Sequence, residues 1–303
     1  MGFLRRSGSE EAIALRSRSL IGRRAGSDVR IEDPRVSGEH ALLRWTGRGW
    51  EIRDLGSRNG TFLGERRLAA GERCLLAEGD RVAFGSGELR FLLIDGRPPP
   101  VSARHLATGE VREAIGRLLL LPDDEHPRVS VFEVSDGGWR MEEADGAREV
   151  GDREVVLVGG DAWELDLPGG EAETLEETGA LASIAQVGLR FRVSQDEEHV
   201  EVAVLAGARE TPLPSRSYHY LLLTLARRRL AERSAPPGEQ GWVEREALCR
   251  MLATDEHRLN VDICRARKQL AGLGIHGAAN VVERRAGTGL LRIGVDRLEV
   301  GRL

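Results

Sequence analysis

The sequence predicts a multidomain protein with an all-β sandwich first, a β-rich middle region, and an α+β region of helices and a hairpin last. Short apolar alternations separated by Gly, Asp and Asn fill the first hundred residues, whereas a long helical apolar stripe appears near the end. Three prolines at 98–100 and a stretch at 168–182 rich in Gly, Glu and Thr interrupt these patterns. We therefore assign residues 1–97, 98–186 and 187–303 to three domains.

The net charge changes sign along the chain. The 303 residues carry a net charge of -5, but this is the sum of +4 over residues 1–97, -15 over 98–212 and +6 over 213–303. Two basic ends therefore flank an acidic middle, and the mild overall acidity does not exclude an anionic partner for either end.

Membrane, secretory and metal-binding classes are not favoured by the composition. No apolar run approaches the 18 residues of a membrane span, and no long apolar segment follows the first two arginines as in a signal peptide. Cys74, Cys249 and Cys264 are far apart and offer neither a zinc pattern nor a disulfide framework. We expect a cytoplasmic protein without a metal or a cofactor.

The first block alternates short strands with polar loops, which is typical of a β-sandwich. The predicted strands are Val29–Ile31, Ala41–Trp45, Trp50–Ile52, Arg81–Phe84 and Leu89–Leu93. The loops between them are Ile21-Gly22-Arg23, Ser37-Gly38-Glu39-His40, Ser57-Arg58-Asn59-Gly60-Thr61 and Gly79-Asp80. Arginine forks, a hydroxyl and amide donors on a rigid scaffold suit a phosphate dianion. Asn-Gly suits a tight turn.

These four motifs, in this order and spacing, resemble the forkhead-associated (FHA) domain over nearly all of residues 1–95. The resemblance implies an eleven-stranded sandwich whose loops at one end bind phosphothreonine peptides. It implies that Arg23 and Ser37 hold the phosphate and that Asn59 holds the peptide backbone. Arg58 would add positive electrostatic potential at the phosphate. The residues expected to support the loop are Gly22, His40, Gly60 and Thr61.

Two other interpretations of these residues fit the sequence less well. In one, Arg23 and Arg58 are solvated surface charges and Asn59 only makes a turn; four motifs in register disfavour this. In the other, Ser37 and His40 belong to a hydrolase triad, which we reject because no oxyanion hole accompanies them. Gly38 and Leu63-Gly64 depart from the FHA pattern, so we expect phosphate affinity or peptide selection to differ.

The last block predicts three helices and a glycine-tipped hairpin. The helices are expected over 218–233, 243–253 and 255–273, and the hairpin joins Val281–Arg284 to Leu290–Ile293. The third helix has a single apolar stripe consisting of Leu259, Ile263, Ala266, Leu270 and Leu273. Its opposite face shows His257, Val261, Cys264, Arg265 and Lys268.

Three helices followed by such a hairpin form a winged helix, and residues 187–297 resemble the effector domain of OmpR-type regulators. The resemblance implies a small sheet before the first helix and a third helix that enters the major groove of DNA. The implied DNA contacts are Arg265, Arg267 and Lys268 on the helix and Arg284, Arg285 and Arg292 on or near the wing. The alternative is a winged helix that binds protein, which Asp262 in the third helix favours.

The middle region predicts one short helix over 109–120 and four strands. The strands are expected at Val129–Val134, Gly138–Glu142, Gly151–Leu157 and Trp163–Leu167. The order of Gly-Trp and Gly-Asp turns allows a degenerate second sandwich, although any β domain can reuse such turns. The histidines have no ligand-like spacing.

The expected function is that of a bacterial signalling protein rather than an enzyme. It would recognise phosphothreonine on a Ser/Thr kinase or its substrate through the first block and bind DNA as a transcriptional regulator through the last. The alternative is a phospho-dependent scaffold whose winged helix binds protein. Thr174 and Thr178 are candidate phosphothreonines of this chain itself.

Overall fold

A computed structural model describes residues 1–134, 137–144, 146–169, 182–285 and 287–303, and this part of the chain is strongly β-rich. The predicted linker over 168–182 and the two candidate threonines in it fall almost wholly outside the described residues. The chain divides into two compact units that do not follow the three predicted domains. The first contains Met1–Ser102, Asp152–Glu154 and the described part of Glu164–Glu173; the second contains Ala103–Gly151, Val155–Trp163 and the described part of Thr174–Leu303.

The first unit is built on two sheets with eleven strands in total, as the sandwich prediction requires, and all strand pairs but one are antiparallel. The strands are β1 (Phe3–Arg6), β2 (Ala12–Ala14), β3 (Arg18–Gly22), β4 (Val29–Arg30), β5 (Ala41–Trp45), β6 (Trp50–Asp54), β7 (Thr61–Leu63), β8 (Arg66–Arg67), β9 (Arg73–Leu76), β10 (Arg81–Phe84) and β11 (Arg90–Asp95). One sheet has the order β2-β1-β11-β10-β7-β8, and the other has β4-β3-β5-β6-β9, with β4 parallel to β3. Alternating side chains such as Leu43, Trp50, Ile52 and Leu93 are fully buried between them.

Two short segments from the predicted middle region complete this unit. The Asp166 carboxylate accepts a hydrogen bond from the Ser17 backbone N–H at 3.0 Å and pairs with Arg16 at 3.3 Å. The Ser17 hydroxyl also donates to Asp152 at 2.9 Å, and Arg153 pairs with Asp28 at 2.8 Å. The first unit therefore does not end at residue 97, where the prolines suggested a boundary.

Eight strands lie between the prolines and Leu167 in the described part of the chain. They are β12 (Ser102–His105), β13 (Val111–Glu113), β14 (Leu118–Leu121), β15 (Val129–Glu133), β16 (Trp139–Glu142), β17 (Ala147–Val150), β18 (Val155–Val158) and β19 (Asp161–Asp166). One four-stranded sheet has the order β13-β12-β19-β18, and the other is the meander β14-β15-β16-β17.

The helix predicted over 109–120 is wrong, because β13 and β14 occupy this stretch. Gly109 and Gly116 both have positive φ, at 75° and 62°, which breaks any helical run. All four leucines of β14 are buried, so this strand shows the continuous apolar pattern of a strand covered on both faces.

The three helices and the hairpin lie where they were predicted, with shorter bounds. The helices are α1 (His219–Ala231), α2 (Arg245–Met251) and α3 (Glu256–Ala271); Asp255 caps α3 by accepting a hydrogen bond from the Arg258 backbone N–H. The strands are β20 (Ala182–Ser183), β21 (Val187–Val193), β22 (Val200–Ala206), β23 (Arg209–Pro212), β24 (Val243–Glu244), β25 (Ile275–His276), β26 (Val282–Arg285), β27 (Leu290–Ile293) and β28 (Arg297–Arg302). The sheets are β23-β22-β21-β28, β24-β27-β26 and the pair β20-β25.

One apolar core joins the meander sheet to these helices within the second unit. Leu118, Leu120 and Phe132 of the meander belong to the same buried cluster as Leu259 and Ile263 of α3. The predicted boundary at residue 186 therefore does not separate two cores.

Candidate functional site

Hydrogen bonds bring Arg23, Ser37 and Arg58 together at one end of the first unit. The Arg23 backbone N–H donates to the Ser37 carbonyl at 2.9 Å, and its Nε donates to the Val36 carbonyl at 3.2 Å. The Arg58 backbone N–H donates to the Ser37 hydroxyl oxygen at 3.0 Å. Three loops that are distant in the sequence therefore converge on Ser37.

His40 fixes two of these loops from inside. Its Nδ1 accepts a hydrogen bond from the Ser37 backbone N–H at 3.0 Å, so its Nε2 carries the proton and donates to the Gly60 carbonyl at 3.1 Å. The ring is fully buried and packs edge-on against Phe84. Burial lowers the pKa of His40 below its ordinary value of 6.5, against the opposing effects of the Gly60 carbonyl and Asp54. A neutral histidine therefore links the Ser37 and Gly60 loops from inside the sandwich.

Asp54 organises the third loop, a role that the sequence analysis missed. Its carboxylate accepts hydrogen bonds from the backbone N–H groups of Gly56 and Ser57 and from the hydroxyls of Ser57 and Thr61, the last two at 2.6 Å. Burial would raise the pKa of Asp54, but these donors hold it below its ordinary value. The signal was present in the sequence, because Asp followed by Gly and Ser is typical of a side chain that caps its own turn.

Asn59 is held within the site by its own amide. Its Nδ2 donates to the Arg35 carbonyl at 2.8 Å, which ties the third loop to the segment before Ser37. Arg35 is itself fixed by Asp33 at 2.9 Å and Glu88 at 3.0 Å. The Asn59 amide is therefore engaged by the protein itself, and the hydrogen bond fixes the third loop against the segment before Ser37.

Two glycines permit the close approach of the loops. A Cβ added to Gly22 would lie 2.1 Å from the Gly38 carbonyl oxygen, closer than any real contact. Gly60 has a φ of 93°, and a Cβ there would lie 2.3 Å from Nε of Arg67. Their predicted supporting roles thus have a steric basis.

The guanidinium groups that remain available define the chemistry of the site. Arg23 and Arg58 are exposed, and among the described residues no acidic side chain pairs with either. The neighbouring Arg24 differs, since it pairs with Glu39 at 2.5 Å. Two unpaired arginines beside a serine hydroxyl can bind a dianion by charge-assisted hydrogen bonds.

The residues predicted to contact DNA do not form one open basic face. This corrects the expectation that the side of α3 opposite its apolar stripe is open to DNA. Arg267 is only 1% exposed and donates to the Glu142 carboxylate at 2.7 Å and the Val282 carbonyl at 2.8 Å. Arg284 is largely buried and lies 3.2 Å from Glu142. Arg265 donates to the Glu125 carbonyl at 2.8 Å, and Lys268 pairs with Asp124 at 2.8 Å. The apolar stripe showed which side of α3 faces the other helices, but not that a sheet covers the opposite side.

The two remaining arginines lie on the hairpin. The guanidinium groups of Arg285 and Arg292 lie 5.2 and 4.5 Å from the ring centre of Trp242. Arg292 also pairs with Glu283 at 2.6 Å, whereas Arg285 is exposed. These arginines are thus the part of the predicted DNA surface that the meander sheet leaves uncovered.

The described residues contain no group of three or more His, Cys, Asp or Glu side chains arranged to hold a metal ion. In the same part of the chain, no helix has the length and apolar character needed to cross a membrane.

Comparison with known proteins confirms the predicted resemblance for part of the chain. The FHA domain model matches residues 19–85. The glycogen accumulation regulator GarA of Mycolicibacterium smegmatis is 37% identical over 71 residues, which are 23% of this chain and 43% of that protein. Human kanadaptin is 36% identical over 88 residues, which are 25% of this chain and 12% of kanadaptin. The crystal structure of Rv1747 FHA-1 from Mycobacterium tuberculosis is 32% identical with a TM-score of 0.26, covering 30% of this chain and 94% of that one.

The chain therefore spans less than half the length of these two curated relatives. The segment that the FHA model matches lies in the first unit. Arg23, Ser37, His40, Asn59 and Gly60 all fall inside the matched segment. Residues 19–85 of this protein are an FHA domain.

Proposed function

We propose that the first unit binds a phosphothreonine peptide and that the protein acts in phosphothreonine-dependent signalling. The observation that carries this proposal is the convergence of the Arg23 and Arg58 loops on Ser37, the first on its carbonyl and the second on its hydroxyl, with no acidic side chain paired to either arginine among the described residues. The expected partner is a Ser/Thr kinase or a substrate of one.

Titration calorimetry with a phosphothreonine peptide library and its unphosphorylated counterpart tests this function. Arg23→Ala should weaken binding of the phosphorylated peptides by about 1.5–3 kcal/mol, the scale of hydrogen bonds to charged groups. Arg24→Ala removes the same charge one residue away, from a side chain already paired with Glu39, and should have much less effect. Equal affinity for phosphorylated and unphosphorylated peptides would refute the proposal.

We further propose that residues 187–303 form a winged helix that binds DNA, which would make the protein a transcriptional regulator. The order of α1, β24, α2, α3 and a hairpin supports this, as does the pairing of β24 with the hairpin strand β27. The net charge of +6 over residues 213–303 and the exposed Arg285 beside Trp242 supply the electrostatic attraction that DNA binding requires.

The alternative, a phospho-dependent scaffold whose winged helix binds protein, is favoured by one observation. The side of α3 opposite its apolar stripe already contacts protein, namely the meander sheet and its β14–β15 loop. Capture from a random pool of duplex oligonucleotides separates the two functions when the chain carries Glu142→Ala, which removes the carboxylate that pairs Arg267 with the meander sheet. Enrichment that falls on Arg265→Ala and Lys268→Ala supports DNA binding, whereas no enrichment, or enrichment untouched by both substitutions, supports the scaffold.

A further inference from the structure

We infer that the meander sheet β14–β17 and its β14–β15 loop, together called the cover, mask the DNA-binding side of α3 by occupying its basic groups with their own oxygen atoms. This inference rests on the proposed DNA-binding function and assigns that site its regulation. All of the contacts that carry it lie within the second compact unit.

The buried centre of the contact shows that the cover is packed onto α3. Val261 and Cys264 lie on the side of α3 opposite its apolar stripe, yet they are only 5% and 1% exposed. The Cys264 Sγ lies 3.1 Å from the Ser130 Oγ of β15. A helix that reads DNA needs this side open to water. In the folded chain the meander sheet covers it instead.

A buried carboxylate of the cover neutralises the arginines beneath it. Glu142 of β16 is 5% exposed and pairs with Arg267 at 2.7 Å and Arg284 at 3.2 Å. The Arg267 guanidinium also lies 5.0 Å from the centre of the Phe132 ring. Without Glu142, two positive charges would face each other away from water, which strongly disfavours the closed contact.

The loop between β14 and β15 engages the rim of the same side. Asp124 pairs with Lys268 at 2.8 Å, the Glu125 carbonyl accepts from Arg265 at 2.8 Å, and the Arg128 carbonyl accepts from Asn260 at 3.1 Å.

Each of the three basic side chains predicted to meet DNA from α3 therefore already binds an oxygen of the cover. Phosphate oxygens would need the same guanidinium and ammonium donors, so the cover and DNA exclude one another on α3. The exposed Arg285 of the hairpin remains outside the cover, which leaves the closed form a weak, salt-sensitive contact with DNA.

A matched pair of substitutions in the full chain tests whether Glu142 holds the cover closed. Glu142→Ala should raise the rate at which a maleimide modifies Cys264 at least tenfold, measured by peptide mass spectrometry, because opening exposes a thiol that is otherwise buried. Glu143→Ala removes the same charge from the adjacent, exposed position and should leave that rate unchanged. Circular dichroism, together with an unchanged maleimide rate at the buried Cys249 of α2, checks that the second unit of Glu142→Ala remains folded. An unchanged Cys264 rate in Glu142→Ala would overturn the role given to this carboxylate.

A reversible lock then tests masking itself. Ser130→Cys places a second sulfur beside Cys264, and the oxidised pair would tie the cover to α3. In the double variant with Glu142→Ala, the affinity for a random-sequence duplex should fall at least tenfold on oxidation and recover with reductant. Combining this pair with Cys264→Ser provides the control that cannot lock.

The outcomes distinguish the inference from the function on which it rests. Equal DNA affinity in the locked and reduced forms would overturn masking while leaving DNA binding intact. Absence of DNA binding in both forms, with Cys264 reactive in the reduced one, would overturn the proposed DNA-binding function and with it the inference.

Discussion

At the scale of single residues, the proposed phosphate site depends on buried side chains that shape its loops. His40 links the Ser37 and Gly60 loops, and Asp54 gathers four donors from the loop that carries Arg58 and Asn59. Both side chains are buried, so their polar atoms must be satisfied by the loops themselves. The loops consequently hold their shape without a bound phosphate.

The protonation of His40 predicts a pH dependence for the first unit. The unfolded chain keeps the ordinary pKa of about 6.5 and takes up a proton below it, whereas the folded site, with its lowered pKa, stays neutral. The free energy of unfolding should therefore fall as the pH drops from 6.5 towards the folded pKa, by at most about 1.4 kcal/mol per pH unit from this group. An NMR titration of the His40 ring should place its pKa below 6.5; a midpoint at or above 6.5 would contradict the argument.

At the scale of loops and strands, the close contact between the first two loops requires a glycine at position 22. The Gly38 carbonyl oxygen lies where a Gly22 side chain would begin, and the Arg24 backbone N–H donates to the same carbonyl at 3.1 Å. The loops cannot separate without losing this hydrogen bond.

Gly22→Ala should accordingly destabilise the first unit by about 1–3 kcal/mol, the usual cost of overpacking, and should weaken phosphopeptide binding. Gly26→Ala is the matched control, because an added Cβ there meets nothing within 4 Å and its φ is not positive. Chemical denaturation followed by Trp fluorescence, with peptide titration of both variants, measures the two effects. If the two variants behave alike, the steric account of the Gly-Arg motif is wrong.

Local sequence patterns predicted elements well where neighbours along the chain decide the structure. The FHA loops were identified because their motifs lie on short turns, and α3 because its apolar stripe has helical spacing. The same local reasoning placed a helix over 109–120, since four consecutive leucines fit a buried helix or a doubly covered strand equally well. It also left Arg267 on an open surface, because the partner that buries it, Glu142, is 125 residues away.

At the scale of the whole molecule, the chain does not fold as the three consecutive blocks that its prolines and charges suggested. The acidic middle is divided: Asp152–Glu154 and the segment from Glu164 complete the first unit, while the meander sheet shares a core with α3. The block charges of +4, -15 and +6 therefore describe the sequence but not the folded units. Asp166 shows this most clearly, since it is 4% exposed and faces Arg16 and Ser17 of the first block.

Asp166→Ala should therefore destabilise the first unit although it lies far outside the matched FHA segment. The substitution leaves the Ser17 backbone N–H and Arg16 without this acceptor, which costs about 1–3 kcal/mol for a buried group. Part of that loss is offset, because burial raises the pKa of Asp166 and its charged form is already disfavoured. Asp161→Ala, at an exposed position of the same strand, serves as the control. Amide hydrogen exchange at Leu43 and Ile52 should accelerate in the first variant and not in the second. Unchanged exchange in both would mean that residues 1–102 hold together without the distant segments.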